Sequence, residues 1–223
     1  MIDKQVPDVA AAVAGVPDGA TVLVSGFGEV GIANELIDAL VEQGAGDLTV
    51  VANNAGAGDR GVAALLRAGR VRKVICSYPR SRGSTWFEYR YGRNEVELEV
   101  VPQGVLSERI RAAGAGIGAF YSPTGVGTVL GEGKETRVLQ GRRHLLEFPL
   151  RGDVALIKGR VGDRWGNLTY HATARNYAPT MAMAAALTIA QVDRVVELGA
   201  IDPEIVFTPG IFVDRVVAVG AGG

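Results

Sequence analysis

Short apolar runs alternate with amphipathic segments from the start of the chain. Asp8 to Ala14 has the spacing of a short helix, and Asp18-Gly19 reads as a turn. Thr21 to Val24 is a continuous apolar run of the kind that strands buried on both faces show. Asn34 is expected to cap a helix whose Leu36, Ile37, Leu40 and Val41 share one face, with Gly44 stopping it. Leu48 to Val51 predicts a second strand, Gly61 to Ala68 a helix closed by Gly69, and Lys73 to Ser77 a third strand. Strands separated by helices imply parallel β-α-β units with right-handed crossovers.

The pattern loosens after Gly83. Trp86 to Tyr91 reads as a short helix, Glu95 to Val101 alternates like a half-exposed strand, and Leu106 to Ala113 is helical. Within the glycine-rich stretch from Gly114 to Gly133, the glycines and proline of Gly116 to Thr128 argue against any regular element. Arg137 to Leu150 and Val154 to Tyr170 read as antiparallel, with Gly162-Asp163 and Trp165-Gly166-Asn167 as turns. Pro179 is expected to open a helix reaching about Ile189, with Val192 to Leu198 and Ile211 to Val219 closing the sheet. The expected fold is α/β: a mostly parallel open sheet with flanking helices plus an antiparallel portion, in a single domain over 1–223.

Composition narrows the class. The chain is 48% hydrophobic but only 6% aromatic, so Ala, Val, Leu and Ile must fill the core. A net charge of -1 gives no basic field for nucleic acid. One cysteine, Cys76, excludes an internal disulfide and suits a reducing compartment. Ala178 to Ala190, the longest apolar stretch, falls short of the roughly 18 residues a membrane span needs. The expectation is a soluble, cytoplasmic protein.

Chemistry-bearing residues gather where strands run out. Ser25-Gly26-Phe27-Gly28-Glu29-Val30-Gly31 follows the first strand, Asn53-Asn54-Ala55-Gly56 the second, and Pro102-Gln103-Gly104 a later one. Such turns offer backbone N–H groups and neutral amides to ligand oxygens. Gly26 to Gly31 is literally G-x-G-x-x-G, but a dinucleotide site also needs an acid at the end of the second strand, where Asn53 and Asn54 stand. A plain tight turn remains the alternative for that motif, as it does for the Asn-rich turn. His144 and His171 lack triad or metal company, no zinc spacing is present, and Cys76 reads as a small core residue. The surroundings suit a large polar ligand, yet no nucleophile accompanies them. That mismatch suggests half of an active site.

These segments, in this order, resemble the A subunit of the family I coenzyme A transferases. Glu108-Arg109-Ile110-Arg111, the Gly116–Thr128 loop and Gly162 to Tyr170 extend the resemblance over essentially the whole chain. Ser77-Tyr78-Pro79-Arg80, Ala174-Arg175-Asn176-Tyr177 and Thr208 to Val213 are similar to the branch acting on 3-oxoadipate. Two departures stand out: Ala33 where a proline is usual and Ser25 where a glycine is usual. Both bear on loop stiffness, and neither removes a backbone donor. The resemblance implies a NagB/RpiA-like fold, coenzyme A as co-substrate and no metal. It also implies a nucleophilic glutamate on a partner B subunit, with none in this chain, and an A2B2 assembly. It implies a CoA contact along Ser25, Gly26, Phe27, Gly28, Glu29, Val30 and Gly31, with Asn53, Asn54 and Gln103 facing the reacting carbonyls. Glu29 is not expected to act as nucleophile, since the family pattern does not fix that side chain. The far carboxylate of a dicarboxylic acceptor wants a cation, and Arg80 or Arg82 is the candidate, against the plainer reading of exposed loop arginines. Competing readings are a monocarboxylic 3-oxoacid acceptor, a CoA-ester or carbon–carbon hydrolase of the same fold, a nicotinamide oxidoreductase and a non-enzymatic scaffold subunit.

Overall fold

The computed structural model describes residues 2–220. Asp8 caps α1 (Val9–Val13), its carboxylate accepting from the Ala11 N–H at 2.7 Å. Then follow β1 (Thr21–Val24), α2 (Asn34–Gln43), β2 (Leu48–Asn54), α3 (Val62–Arg67), β3 (Val71–Tyr78), α4 (Thr85–Gly92), β4 (Glu97–Val100) and α5 (Gln103–Gly114). An excursion adds β5 (Phe120–Ser122), β6 (Thr136–Leu139) and β7 (Arg142–Glu147). The chain returns through β8 (Gly152–Lys158), β9 (Val161–Asp163), β10 (Leu168–Thr169), α6 (Ala178–Ala184), β11 (Ala185–Val192), β12 (Arg194–Val196) and β13 (Arg215–Ala218).

The main sheet has the order β13-β11-β8-β1-β2-β3-β4, and every pairing in it is parallel. Residues along each strand alternate between two cores. Val22, Val24, Val50, Val74 and Leu156 pack with α1 to α4 on one face. Leu23, Val51, Ile75, Ala155 and Ile157 pack with α5 and α6 on the other. Burial on both faces is why these strands read as continuous apolar runs. The order grows away from β1 toward β4 and away from β8 toward β13, so the reversal lies between β1 and β8. In such sheets the crevice beyond the strands' carboxyl ends at that reversal is the usual place for a ligand.

Several expectations fail for identifiable reasons. The Val154 segment is not antiparallel: β8 lies beside β1 in the middle of the parallel sheet, and the turn signals after it belong to the β9–β10 hairpin. Its run Val154 to Ile157 is wholly buried, which marks an interior parallel strand and not a half-exposed hairpin. The helix opened by Pro179 ends at Ala184, and Ala185 to Val192 is strand, with Thr188, Ile189 and Val192 buried. Those β-branched residues favour the pleated sheet over a continued helix. The segment after Val192 does not extend the main sheet, because β12 pairs with β9 in a small sheet of order β10-β9-β12. The Gly116–Thr128 stretch does hold a regular element: β5 pairs antiparallel with β7. Asn34 is the first residue of α2 rather than its cap, and its Oδ1 is buried without a partner.

One ion cluster fixes the helix that opens at Gln103. Glu99 accepts from Lys73 Nζ at 2.6 Å and from Arg109 Nη1 at 2.9 Å, and Arg109 Nε also donates to the Phe148 carbonyl. Burial opposes the charged Glu99 carboxylate, but hydrogen bonds from Lys73 and Arg109 outweigh it and hold its pKa below the usual carboxylate value.

Gly152 opens β8 against the Leu23 side chain. A Cβ there would lie 2.5 Å from Leu23 Cγ. Gly152→Ala should therefore lose about 1–3 kcal/mol of stability by overpacking, read as a lower urea midpoint with unchanged slope. Adding Leu23→Ala should destabilise less than the sum of the two single changes.

Candidate functional site at the carboxyl edge of the sheet

β1 ends in the glycine loop at the reversal point. Ser25 is buried, and its Oγ donates to the Gly31 carbonyl at 2.7 Å while accepting from the Lys158 N–H at 3.3 Å. Ser25 thus closes the base of the loop and ties it to β8. Phe27 and Val30 exchange backbone hydrogen bonds at 3.0 and 3.2 Å, making a tight four-residue turn. Gly31, at φ 81°, has no room for a Cβ, which would lie 2.3 Å from the Ala174 carbonyl.

This arrangement divides the residues expected to contact CoA. The Ser25 side chain faces inward, the Gly26 N–H is held by Asn176 Oδ1 at 3.0 Å, and the Glu29 side chain is exposed outside the neighbouring clefts. Phe27 separates three clefts, Gly28 lines one of them, and Val30 lines another. Among the described hydrogen bonds, the N–H groups of Gly28, Glu29 and Gly31 have no protein acceptor.

Beside Phe27 lies a cleft of about 330 Å³ lined by Gly28, Asn53, Asn54, Ser77, Tyr78, Ser81 and Gln103. The three amides expected at the reacting centre therefore meet in one place, though not on turns. Asn53 and Asn54 are the last residues of β2, and Gln103 is the first of α5. Asn53 Oδ1 accepts from Ser77 Oγ at 3.0 Å and from the Tyr177 hydroxyl at 3.5 Å. With the carbonyl end of the amide so held, Nδ2 is the end left to donate to a ligand. Asn54 acts differently. Its Oδ1 accepts from the Gly56 N–H at 2.9 Å and its Nδ2 donates to the Gly28 carbonyl at 3.4 Å, joining the end of β2 to the glycine loop. Burial raises the pKa of the Tyr177 phenol, opposed by the adjacent Gln103 amide, so the hydroxyl stays a neutral donor.

Arg80 and Arg82 do not line this cleft. They flank the cleft-lining Ser81 in sequence, and the exposed Arg80 guanidinium sits 3.7 Å from Glu88. A larger open cleft of about 1080 Å³ on the other side of Phe27 carries Arg160 and Arg175, the latter 3.9 Å above the Phe207 ring. Sequence reading gave no role to Asn176, Tyr177 or Ser77. Asn176 lies within the Ala174 to Tyr177 stretch of the resemblance, and its backbone φ of 21° is not announced by its residue type.

The dinucleotide reading of G-x-G-x-x-G is closed at the helix. The N-terminus of α2, where a pyrophosphate would sit, carries Glu35, and its Leu36 N–H donates to Gln191 Oε1 at 3.4 Å. The Gln191 amide in turn donates to the Glu35 carboxylate. A negative charge and a side-chain acceptor already satisfy that end of the helix.

A family model for coenzyme A transferase matches residues 6–219. The chain belongs to the coenzyme A transferase family. It is 61% identical to the A subunit of the 3-oxoadipate CoA-transferase of Pseudomonas putida, over 98% of this chain and 95% of that one. It is 50% identical to the A subunit of the succinyl-CoA:3-ketoacid coenzyme A transferase of Xanthomonas campestris, over 96% of this chain and 88% of that one. An acyl-CoA transferase of Escherichia coli O157:H7, solved as a thioester complex with CoA, has the same fold, with a TM-score of 0.85 and 24% identity. That comparison covers 98% of this chain and 47% of the other, so the chain spans about half the length of that relative.

In this coenzyme A transferase chain, Tyr170 should resist ionisation, since burial pushes its pKa up to about 12. Tyr170→Phe should leave the phenolate absorbance step near pH 10 unchanged. Loss of one tyrosine's share of that step would show a solvated phenol.

Proposed function

We propose that this chain is the A subunit of a CoA-transferase that moves coenzyme A from succinyl-CoA to 3-oxoadipate in aromatic-compound breakdown. It works in the cytoplasm, with a B subunit in an A2B2 assembly. The observation that carries the reading is the amide cleft: Asn53 and Gln103 meet beside the glycine loop, and no carboxylate of this chain lines the cleft. The 61% identity to the A subunit of a 3-oxoadipate CoA-transferase supports the substrate assignment. The 50% identity to a succinyl-CoA:3-ketoacid relative keeps a monocarboxylic acceptor such as acetoacetate as the second reading.

The chemistry follows from the division of parts. A glutamate carboxylate from the B subunit's side of the site attacks the succinyl thioester carbonyl, the C–S bond breaks, and a mixed anhydride and the CoA thiolate result. The thiolate attacks the glutamyl carbonyl, releasing succinate and leaving a glutamyl-CoA thioester. The same steps in reverse order, with the 3-oxoacid carboxylate as the incoming group, form the product thioester and regenerate the glutamate. Each step places negative charge on a carbonyl oxygen. The Asn53 and Gln103 amides are the donors assigned to that charge, and the exposed part of the glycine loop, Phe27 to Val30, is assigned to CoA. Arg80 and Arg82, the sequence neighbours of the cleft-lining Ser81, are assigned to the far carboxylate of the acceptor.

The chain mixed with its B subunit, succinyl-CoA and 3-oxoadipate should yield 3-oxoadipyl-CoA and succinate, while the chain alone yields neither. Release of free CoA without a new thioester would instead make the pair a hydrolase. In the active pair, Asn53→Ala should lower kcat by about 10²–10³, as removal of one oxyanion donor does elsewhere. Replacing Arg80 and Arg82 with Ala should raise KM for 3-oxoadipate far more than for acetoacetate, and an equal rise for both would remove the specificity assignment.

A further inference from the structure

We infer that Asn176 is the positioning residue of the glycine loop, and that it acts through its side chain, against the preference of its own backbone. One carboxamide reaches both ends of the Phe27–Val30 turn. Its Oδ1 accepts from the Gly26 N–H at 3.0 Å, just before the turn, and its Nδ2 donates to the Val30 carbonyl at 3.0 Å, at the end of it. The same two atoms hold Asn176's own segment: Oδ1 accepts from the Tyr177 N–H at 2.7 Å, and Nδ2 lies 3.2 Å from the carbonyls of Thr173 and Ala174. The loop is therefore fastened to the start of α6 by a single side chain 150 residues away from Gly26.

Two further observations support the inference. The Asn176 backbone sits at φ 21° and ψ −113°, a region that suits glycine far better than a side-chain-bearing residue. An asparagine there is opposed by its backbone and favoured only by what its amide does. Second, Gly31 fits against this clamp without space to spare, since a Cβ on it would lie 2.7 Å from Asn176 Nδ2. The loop cannot slide along the clamp, so Phe27, the wall between the clefts, is held in one place.

The kinetic consequence rests on the function proposed above. A loop assigned to CoA that is fixed in advance costs less order on binding than one that must be organised by the ligand. Asn176→Gly separates the two roles of the residue, because glycine relieves the backbone strain and removes the clamp together. In the pair with the B subunit, this variant should raise KM for succinyl-CoA at least tenfold, leave KM for the 3-oxoacid within about twofold, and leave the thermal midpoint equal or higher. Asn176→Asp, which keeps the acceptor for Gly26 and Tyr177 and loses the donor to Val30, should fall between. Hydrogen exchange on the full chain without its partner gives a second readout that does not depend on turnover. Amides of Phe27 and Val30 should exchange at least tenfold faster in both variants. Unchanged exchange in the loop overturns the inference, as do wild-type kinetics in Asn176→Gly. So does a uniform loss in every constant accompanied by a lowered midpoint, which would mark a purely structural residue. A wild-type pair that does not transfer CoA would sink the proposed function and leave the exchange result to decide the clamp.

Discussion

Seven parallel strands end on the same side of one sheet, and backbone that leaves a parallel sheet needs new hydrogen-bond partners at once. That requirement organises everything at the carboxyl edge. At β1 the partner is Ser25, whose hydroxyl bridges the Gly31 carbonyl and the Lys158 N–H. At β2 it is Asn54, which satisfies the Gly56 N–H and reaches the Gly28 carbonyl. Opposite the loop it is Asn176. Short neutral polar side chains fill these places because a charge at such a buried edge would carry a desolvation cost that a carboxamide or hydroxyl does not. The material that terminates the strands is thus the material that lines the cleft.

The resulting site is layered. Asn53 and Gln103 face the cleft, Ser77 and Tyr177 hold the Asn53 carbonyl end, and the Lys73–Glu99–Arg109 cluster ties the middle of the helix that carries Gln103 to β3 and β4. Asn176 and Tyr177 are adjacent in sequence yet serve different parts, the first the glycine loop and the second the amide pair. A shift of the α6 entrance would disturb both at once, so the loop and the amides are mechanically linked through one dipeptide.

Legibility in the sequence tracked how local the determining interaction is. β1 matched its expected bounds, because Thr21 to Val24 is buried on both faces and its pattern needs no context. The glycine loop and the amides at the strand ends were visible because glycine and asparagine have specific backbone uses. The Pro179 helix was overextended because Ala-rich Ala178 to Ala184 and β-rich Ala185 to Val192 join without a breaker, and only the slot between β8 and β13 decides where the helix stops. The parallel pairing of β8 with β1 was hidden for the same reason: Val22 and Val154 are far apart in sequence, and an adjacent hairpin signal competed for the assignment. Asn176 is legible only as part of a family-like stretch, and its clamping role is not, since its partners Gly26 and Val30 lie at the other end of the chain.

Under the function proposed above, the neutrality of the amide cleft serves chemistry as well as folding. No residue lining it beside Phe27 carries a formal charge. A carboxylate brought there to attack a thioester must keep its lone pairs available. A fixed cation would pair with that carboxylate in the ground state, deepening the well from which the reaction starts, and only interactions stronger in the transition state than in the ground state raise the rate. Amide N–H groups bind a developing oxyanion through charge-assisted hydrogen bonds while holding the attacking carboxylate less tightly than an arginine would. Arg80 and Arg82, next to Ser81 in sequence, and Arg160 and Arg175, beyond Phe27, do not line the amide pocket. In that reading, charge recognition of a substrate's distant groups by arginines outside the cleft leaves the nucleophilicity of a carboxylate within it intact.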